Sequence, residues 1–431
     1  LVQRDAGPGR ESRYRMLETI REFGLQEVRR AGEEEACHQR LISHWTAWVV
    51  AGECHYCTPS QGEWLERLDL EHDNLRGALD HSIGASDPAA VRLAAALWTF
   101  WWMRGHLTEG RRWLQRALTM ETAADVPGRA RALLGAGALA SCQGDHVAAI
   151  RWMEESLSVY RQAGEMSGVA LALQNLGLAC RAQGDVTRTA ALFEEALMVN
   201  RALPHPDPRR ISTALEGLGT LAATRGEWER ARTLLEESLV CAGEANDACR
   251  IAHIHVSLGD LARSTQEDER AAAWYEKSLT QYRELRQTLG MAESLAKLGD
   301  LARRRGDLEP AREFYSESLG WYCGTGYTRR VATNLVGLGA VALAQDLPDR
   351  AARLLGGVDA LLEATGVTLD PAEAEDYAAV RHDTQDKLGP SRFGISVEAG
   401  RALSLDQVLT LALQLAAPGP RPSRRRTASG G

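Results

Sequence analysis

Few residues in this sequence could do chemistry, and most of them have a plainer explanation. Cys54-His55-Tyr56-Cys57 is a CxxC, with Cys37-His38 upstream. Four soft ligands suit tetrahedral zinc, but structural zinc sites use paired knuckles at defined spacing, and adjacent Cys37 and His38 fit that poorly. Incidental thiols are the stronger reading of Cys54 and Cys57, and no βαβ pattern surrounds them to support redox chemistry. His253 and His255 alternate along a helical segment and so point apart, which argues against a shared metal. Trp98, Phe100, Trp101 and Trp102 could cage a cation. Burial of one helix between its neighbours accounts for them more simply.

The search for phosphate chemistry ends the same way. A P-loop needs a glycine-rich backbone to cradle phosphates and a lysine to reach them. The sequence has no GxxxxGK[ST], and no glycine is followed by lysine. HExxH, GxSxG and a strand-based dinucleotide fingerprint are missing too. The chain is expected to be non-catalytic, with no cofactor or metal of its own.

With catalysis set aside, the surface that the elements build becomes the question. The chain has 431 residues, net charge −8, 44% hydrophobic and 25% charged residues, an ordinary balance for a folded protein too long for one core. Lysine occurs only at 277, 297 and 387, so arginine supplies nearly all the positive charge. No run reaches the roughly 20 apolar residues of a membrane span, and nothing points to a nucleic-acid coat. Eight cysteines without a regular framework suit reduced thiols in a cytoplasm.

The segment 293–319, ESLAKLGDLARRRGDLEPAREFYSESL, reads as two amphipathic helices joined at Gly306-Asp307. With Gly299 as origin, Leu298 precedes it, Gly306 lies at +7, Ala311 at +12, Tyr315 at +16 and Leu319 at +20. The template recurs from Trp98, Gly137, Gly177, Gly219, Gly259 and Gly339. A repeat of about 40 residues predicts stacked hairpins sharing a continuous core. The +7 residue is Gly105, Gly144, Gly184, Gly226, Gln266, Gly306 or Asp346, where glycine would close the first helix in the left-handed conformation. The acid that often follows, as at Asp145, Asp185, Glu227 and Glu267, would favour the N-terminus of the second helix. Three prolines in 203–210 predict an enlarged loop.

The order Leu-Gly, a small residue 12 on and an aromatic 16 on resembles the tetratricopeptide repeat, over residues 92–362. The fold expected is all-α: a right-handed α-solenoid of about seven such hairpins between helical N-terminal and C-terminal caps. The divisions expected are a linker at 1–12, a helical segment at 13–90, the superhelix at 91–362, capping helices at 363–416 and a disordered tail at 417–431. Within the caps, helices are expected over 13–30, 34–50, 62–83 and 371–388, with a last one from Ser404 to about Leu415. The resemblance places the groove at −3, +1, +4 and +5 of each first helix. Those positions give Gln174, Arg181, Glu216, Asp260, Arg263, Asp300, Arg303 and Arg304 as candidate binding residues. The plainer alternative makes Asp260/Arg263 and Asp300/Arg303 solvated i,i+3 ion pairs worth tenths of a kcal/mol.

The flanks resemble a second family. RYRMLETIREFGLQEV (13–28), WLERLDLEHDNLRGAL (64–79) and WWMRGHLTEGRRWLQRAL (101–118) look like bacterial signal-transducing ATPases of the NB-ARC/AP-ATPase type, as do AARLLGGVDALLEATG (351–366) and GRALSLDQVLTLAL (400–413). In that family an ATPase and a winged helix precede a tetratricopeptide sensor, and many members regulate transcription, some with a LuxR-type helix-turn-helix. The resemblance implies a fragment: a cytoplasmic sensor region that binds a protein or small-ligand inducer in its groove and contacts an ATPase module. ATP or ADP would belong only to that upstream module. The chain as given has no direct nucleic-acid site and no membrane segment. A stand-alone scaffold that gathers protein partners is the alternative.

Overall fold

The computed structural model describes residues 2–6, 12–56, 58, 60–120, 126–323 and 325–414. The expected disordered tail at 417–431 lies outside them. The architecture is all-α, with twenty-one α-helices and one N-terminal β-hairpin among the described residues. In that hairpin β1 (Val2–Ala6) pairs antiparallel with β2 (Ser12–Met16), with Val2 opposite Met16 and Ala6 opposite Ser12. The helix expected from Arg13 therefore begins later, as α1 (Glu18–Arg30), and the expected linker at 1–12 contains a strand. In SRYRM the apolar residues fall two apart, the strand period, and helical spacing starts only at Ile20.

α2 (Glu34–Gly52) follows, then α3 (Gln61–Leu70) and α4 (His72–Gly84). A single helix over 62–83 is replaced by two because Glu71 leaves helical geometry, with φ −99° and ψ 5°. The bend lets two separate apolar sets, Trp64, Leu65 and Leu68, then Leu75, Ala78 and Leu79, all become buried.

Seven hairpins come next: α5 (Ala89–Arg104) with α6 (Leu107–Leu118), α7 (Val126–Cys142) with α8 (His146–Ala163), and α9 (Met166–Ala182) with α10 (Val186–Arg201). Then come α11 (Pro208–Thr224) with α12 (Trp228–Glu244), α13 (Ala248–Ser264) with α14 (Asp268–Glu284), α15 (Thr288–Arg305) with α16 (Leu308–Tyr322), and α17 (Thr328–Ala344) with α18 (Pro348–Thr365). The +7 residue is left-handed in every unit, including Gln266 at φ 63° and Asp346 at φ 61°, so the repeat geometry demands it even where the residue is not glycine. The acids after it act unequally. Asp145 and Asp185 accept hydrogen bonds from Ala148 N (3.1 Å) and Arg188 N (3.0 Å), whereas Glu227, Glu267 and Asp307 form no such cap. In the proline-rich loop α10 stops at Arg201, and α11 restarts at Pro208 under an Asp207 cap.

In three of the seven units an aromatic at +16, Phe193, Tyr275 or Tyr315, helps stack one hairpin on the next. Tyr315 is 1% exposed and wedged between two first helices. A Cβ on Gly299 of its own unit or Gly337 of the next would lie 2.9 Å or 2.6 Å from the ring. Phe193 fills the same place between Gly177 and Gly217. Three helices close the end: α19 (Pro371–Leu388), α20 (Pro390–Arg401) and α21 (Leu405–Leu413). The Asp370–Glu373 and Ser404–Gln407 capping boxes form, while α20 has no sequence forecast.

The superhelix is wound tightly enough for its ends to meet. The turns of the first three hairpins lie against the last ones, with Gly105 on Thr325, Gly144 on Val367 and Gly184 on Pro371. At the N-terminal side Glu66 of α3 accepts from Arg286 at 2.8 Å, 220 residues away in sequence. Among the described residues no helix is long and apolar enough to cross a membrane.

Candidate binding face

The first helices α9, α11, α13, α15 and α17 present one shared polar face. Relative to each origin glycine the positions −9, −6, −2, +1 and +4 fall on one side of a helix turning 100° per residue. They hold Arg210, Arg250 and Arg330 at −9, His253 and Glu293 at −6, Lys297 at −2, Asp260 and Asp300 at +1, and Arg181, Arg263 and Arg303 at +4.

Glu216 anchors one end. It is 4% exposed and accepts hydrogen bonds from Arg250 Nη1 (2.8 Å), His253 Nδ1 (2.6 Å) and Ser257 Oγ (2.7 Å), all on α13. Burial pushes its carboxyl up, but the charges of His253 and Arg250 outweigh that and hold it well below the usual carboxylate range. The same carboxylate raises the His253 imidazole against burial. The next rung joins α13 to α15: Lys297 Nζ donates to Asp260 at 2.9 Å, and Tyr275 OH donates to it at 2.7 Å. Burial raises Asp260 while Lys297 and Arg263 lower it further. The third joins α15 to α17, with Arg330 3.4 Å from Glu293. Asp300 accepts from Tyr315 OH at 2.6 Å, and burial pushes its carboxyl up.

These contacts replace the i,i+3 pairs considered from sequence. Arg263 stands 3.9 Å from Asp260, so Lys297 of the next hairpin is the principal partner. Arg303 turns away from Asp300 toward Asp376 of α19, at 3.2 Å. Of the other candidates, Gln174 is buried and donates to the Arg210 carbonyl, Arg181 donates to Thr220 Oγ1 at 2.9 Å, and Arg304 lies 3.9 Å from Asp268 of α14. Gln174 therefore joins two hairpins internally, and Arg304 looks toward the second helices. Sequence reasoning missed Arg250, His253, Glu293, Lys297 and Arg330. Extending the +1/+4 stripe backward at three- and four-residue steps would have found them.

The rungs keep access to water: the side chains of His253, Lys297, Glu293 and Arg330 are 38%, 24%, 24% and 34% exposed. They form a wet polar face of the first helices that can offer alternating donors and acceptors to a ligand. Among the described residues no group of three or more His, Cys, Asp or Glu side chains could hold a metal ion. Cys54 is an exposed free thiol that donates to the Ala51 carbonyl, and Cys57 lies outside the described residues. His255 turns away from His253, stacking on Trp274 with its Nδ1 2.7 Å from Gln281. Phe100 and Trp101 are fully buried core residues rather than a cage.

Comparison with known proteins agrees with the repeat fold. The tetratricopeptide repeat family pattern matches residues 168–240 and 250–322. Proteins of Mycobacterium bovis and Mycobacterium tuberculosis provisionally named HTH-type transcriptional regulators are 34% identical over 122 residues. That match spans 27% of this chain and 13% of theirs. Among solved structures, a Rap protein complexed with Competence and Sporulation Factor superposes with TM-score 0.56 at 13% identity, over 88% of this chain and 98% of that one. NprR in complex with its cognate peptide NprX gives 0.53 at 13% identity, over 88% and 99%. Both likenesses concern the fold. The repeat region is thus a solenoid of tetratricopeptide-type hairpins.

Proposed function

We propose that this chain is a non-catalytic regulatory region that binds a segment of a protein or peptide on the concave face of its solenoid. The observation behind this reading is the set of polar rungs through Glu216, Asp260 and Glu293, each tying one hairpin to the next. A ligand that exchanges partners with a rung alters the contact between hairpins, so binding and superhelix geometry are coupled. The tetratricopeptide-type fold, and the complexes named for two neighbours of that fold, one of them with a cognate peptide, support the reading.

In its finer form, the region is the sensor of a signal-transducing ATPase that controls transcription, holding that module off until an inducer binds. Support comes from the flanking segments quoted above and from the regulator names of the partial relatives. A further support is the outer surface of α1 and its approach, where Leu17 and Phe23 are 53% and 60% exposed and would suit a neighbouring module. In full-length protein, removing residues 91–362 is expected to abolish inducer-dependent control of the target promoter. Retained control would refute the sensor role. A scaffold without a nucleotide switch would instead bind its partner identically with or without ATP.

A further inference from the structure

The solenoid's concave face has more cations than anions, although the whole chain is acidic at net charge −8. Its shared stripe holds seven Arg or Lys side chains against the three carboxylates Asp260, Glu293 and Asp300, with Glu216 beside it at −3. Part of the surplus is met from outside the repeats. The first turns of α19 place Asp370, Glu373 and Asp376 three residues apart, on one side of the helix. Asp370 pairs with Arg329, Glu373 lies 3.3 Å from Arg330, and Asp376 lies 3.2 Å from Arg303. Arg330 is thereby shared between Glu293 of its neighbouring hairpin and Glu373 of the cap.

We propose that the concave face recognises an acidic segment of a partner protein, and that the acidic turns of α19 occupy the same arginines until it arrives. This rests on the concave face being the binding face and adds the chemistry of what it binds. The cap acids show that these arginines can pair with carboxylates presented about three residues apart. The outermost pair is the most accessible, with Asp376 46% and Arg303 26% exposed, so exchange there for a competing carboxylate costs little desolvation, while Glu373 at 17% is held more closely. Arginine's planar fork also suits carboxylate recognition better than a lysine would.

The test uses the full chain and a fluorescein-labelled glutamate-rich peptide, with a lysine-rich peptide and a single-stranded oligonucleotide as controls. Glu373→Gln with Asp376→Asn removes the competing charge, while Gln at 373 retains a capping-box partner for the helix. The variant is expected to bind the acidic peptide about tenfold more tightly than the native chain, in a salt-sensitive manner. Adding Arg303→Gln and Arg330→Gln should remove the gain, with circular dichroism unchanged. Equal binding by native and variant chains would overturn the proposal, as would tighter binding of the oligonucleotide through the same arginines. Absence of acidic-peptide binding combined with protection of the first helices by the lysine-rich peptide would overturn the acidic class alone and leave the concave binding face standing.

Discussion

His255 shows how one side chain can be read in two ways. Sequence alone gives an imidazole out of line with His253; the structure buries it at 1% exposure against Trp274, and burial pushes its pKa down from 6.5 to about 4. A depressed histidine stabilises the fold above its unfolded pKa and loses that contribution as pH falls through the folded value. Stability should therefore decline between pH 6.5 and 4 by at most about 3 kcal/mol, and His255→Phe should flatten that limb in thermal melts. The raised His253 works in the opposite sense: its contribution is complete below pH 6.5 and lost as pH rises through its folded pKa. At Gln266 the left-handed φ of 63° strains an ordinary residue. Gln266→Gly should raise stability by about 0.5–1 kcal/mol in urea titrations. The turn was legible because glycine marks the position in five other units; the histidine's burial was not, because it depends on which neighbour covers it.

At the scale of elements, the hairpins were legible and the caps less so. A 40-residue period records a spacing that must hold in every unit, whereas α20 and the Glu71 break occur once and leave no periodic trace. The most demanding contact lies in this region without precedent in the repeats. A Cβ on Gly356 would lie 2.1 Å from the Val397 carbonyl oxygen, and one on Gly400 would lie 2.0 Å from that of Arg353. Helices α18 and α20 thus cross with backbone against backbone. Gly356→Ala should cost about 2–3 kcal/mol, because neither partner atom can rotate away. The same change at Gly243, which meets nothing within 4 Å, should cost nothing measurable or be mildly favourable. Of the binding stripe, the +1 and +4 positions were visible from the repeat. Lys297, Arg250 and Arg330 lie on the same stripe further back along each helix, but which carboxylate each one pairs with became visible only when the winding set each rung against the next.

For the whole molecule, tight winding turns a row of separate helices into one polar concavity bounded by its own caps. Contacts between residues far apart in sequence, such as Glu66 with Arg286 and Asp376 with Arg303, belong to this scale, and nothing in the 40-residue pattern encodes them. The second of them ties α19 to α15. Glu216→Gln should weaken this arrangement by about 3 kcal/mol, since Arg250 and His253 would lose their shared carboxylate, and should increase hydrogen exchange in α11 and α13 together. The central claim is that partners are held on the concave face. Site-specific photocrosslinking in the full-length protein tests it, with a photoreactive residue placed at Lys297 inside or at Val240, which is 62% exposed on the second helix α12. Inducer-dependent crosslinks from position 297 and none from 240 are the predicted result; crosslinks from 240 with none from 297 would contradict it.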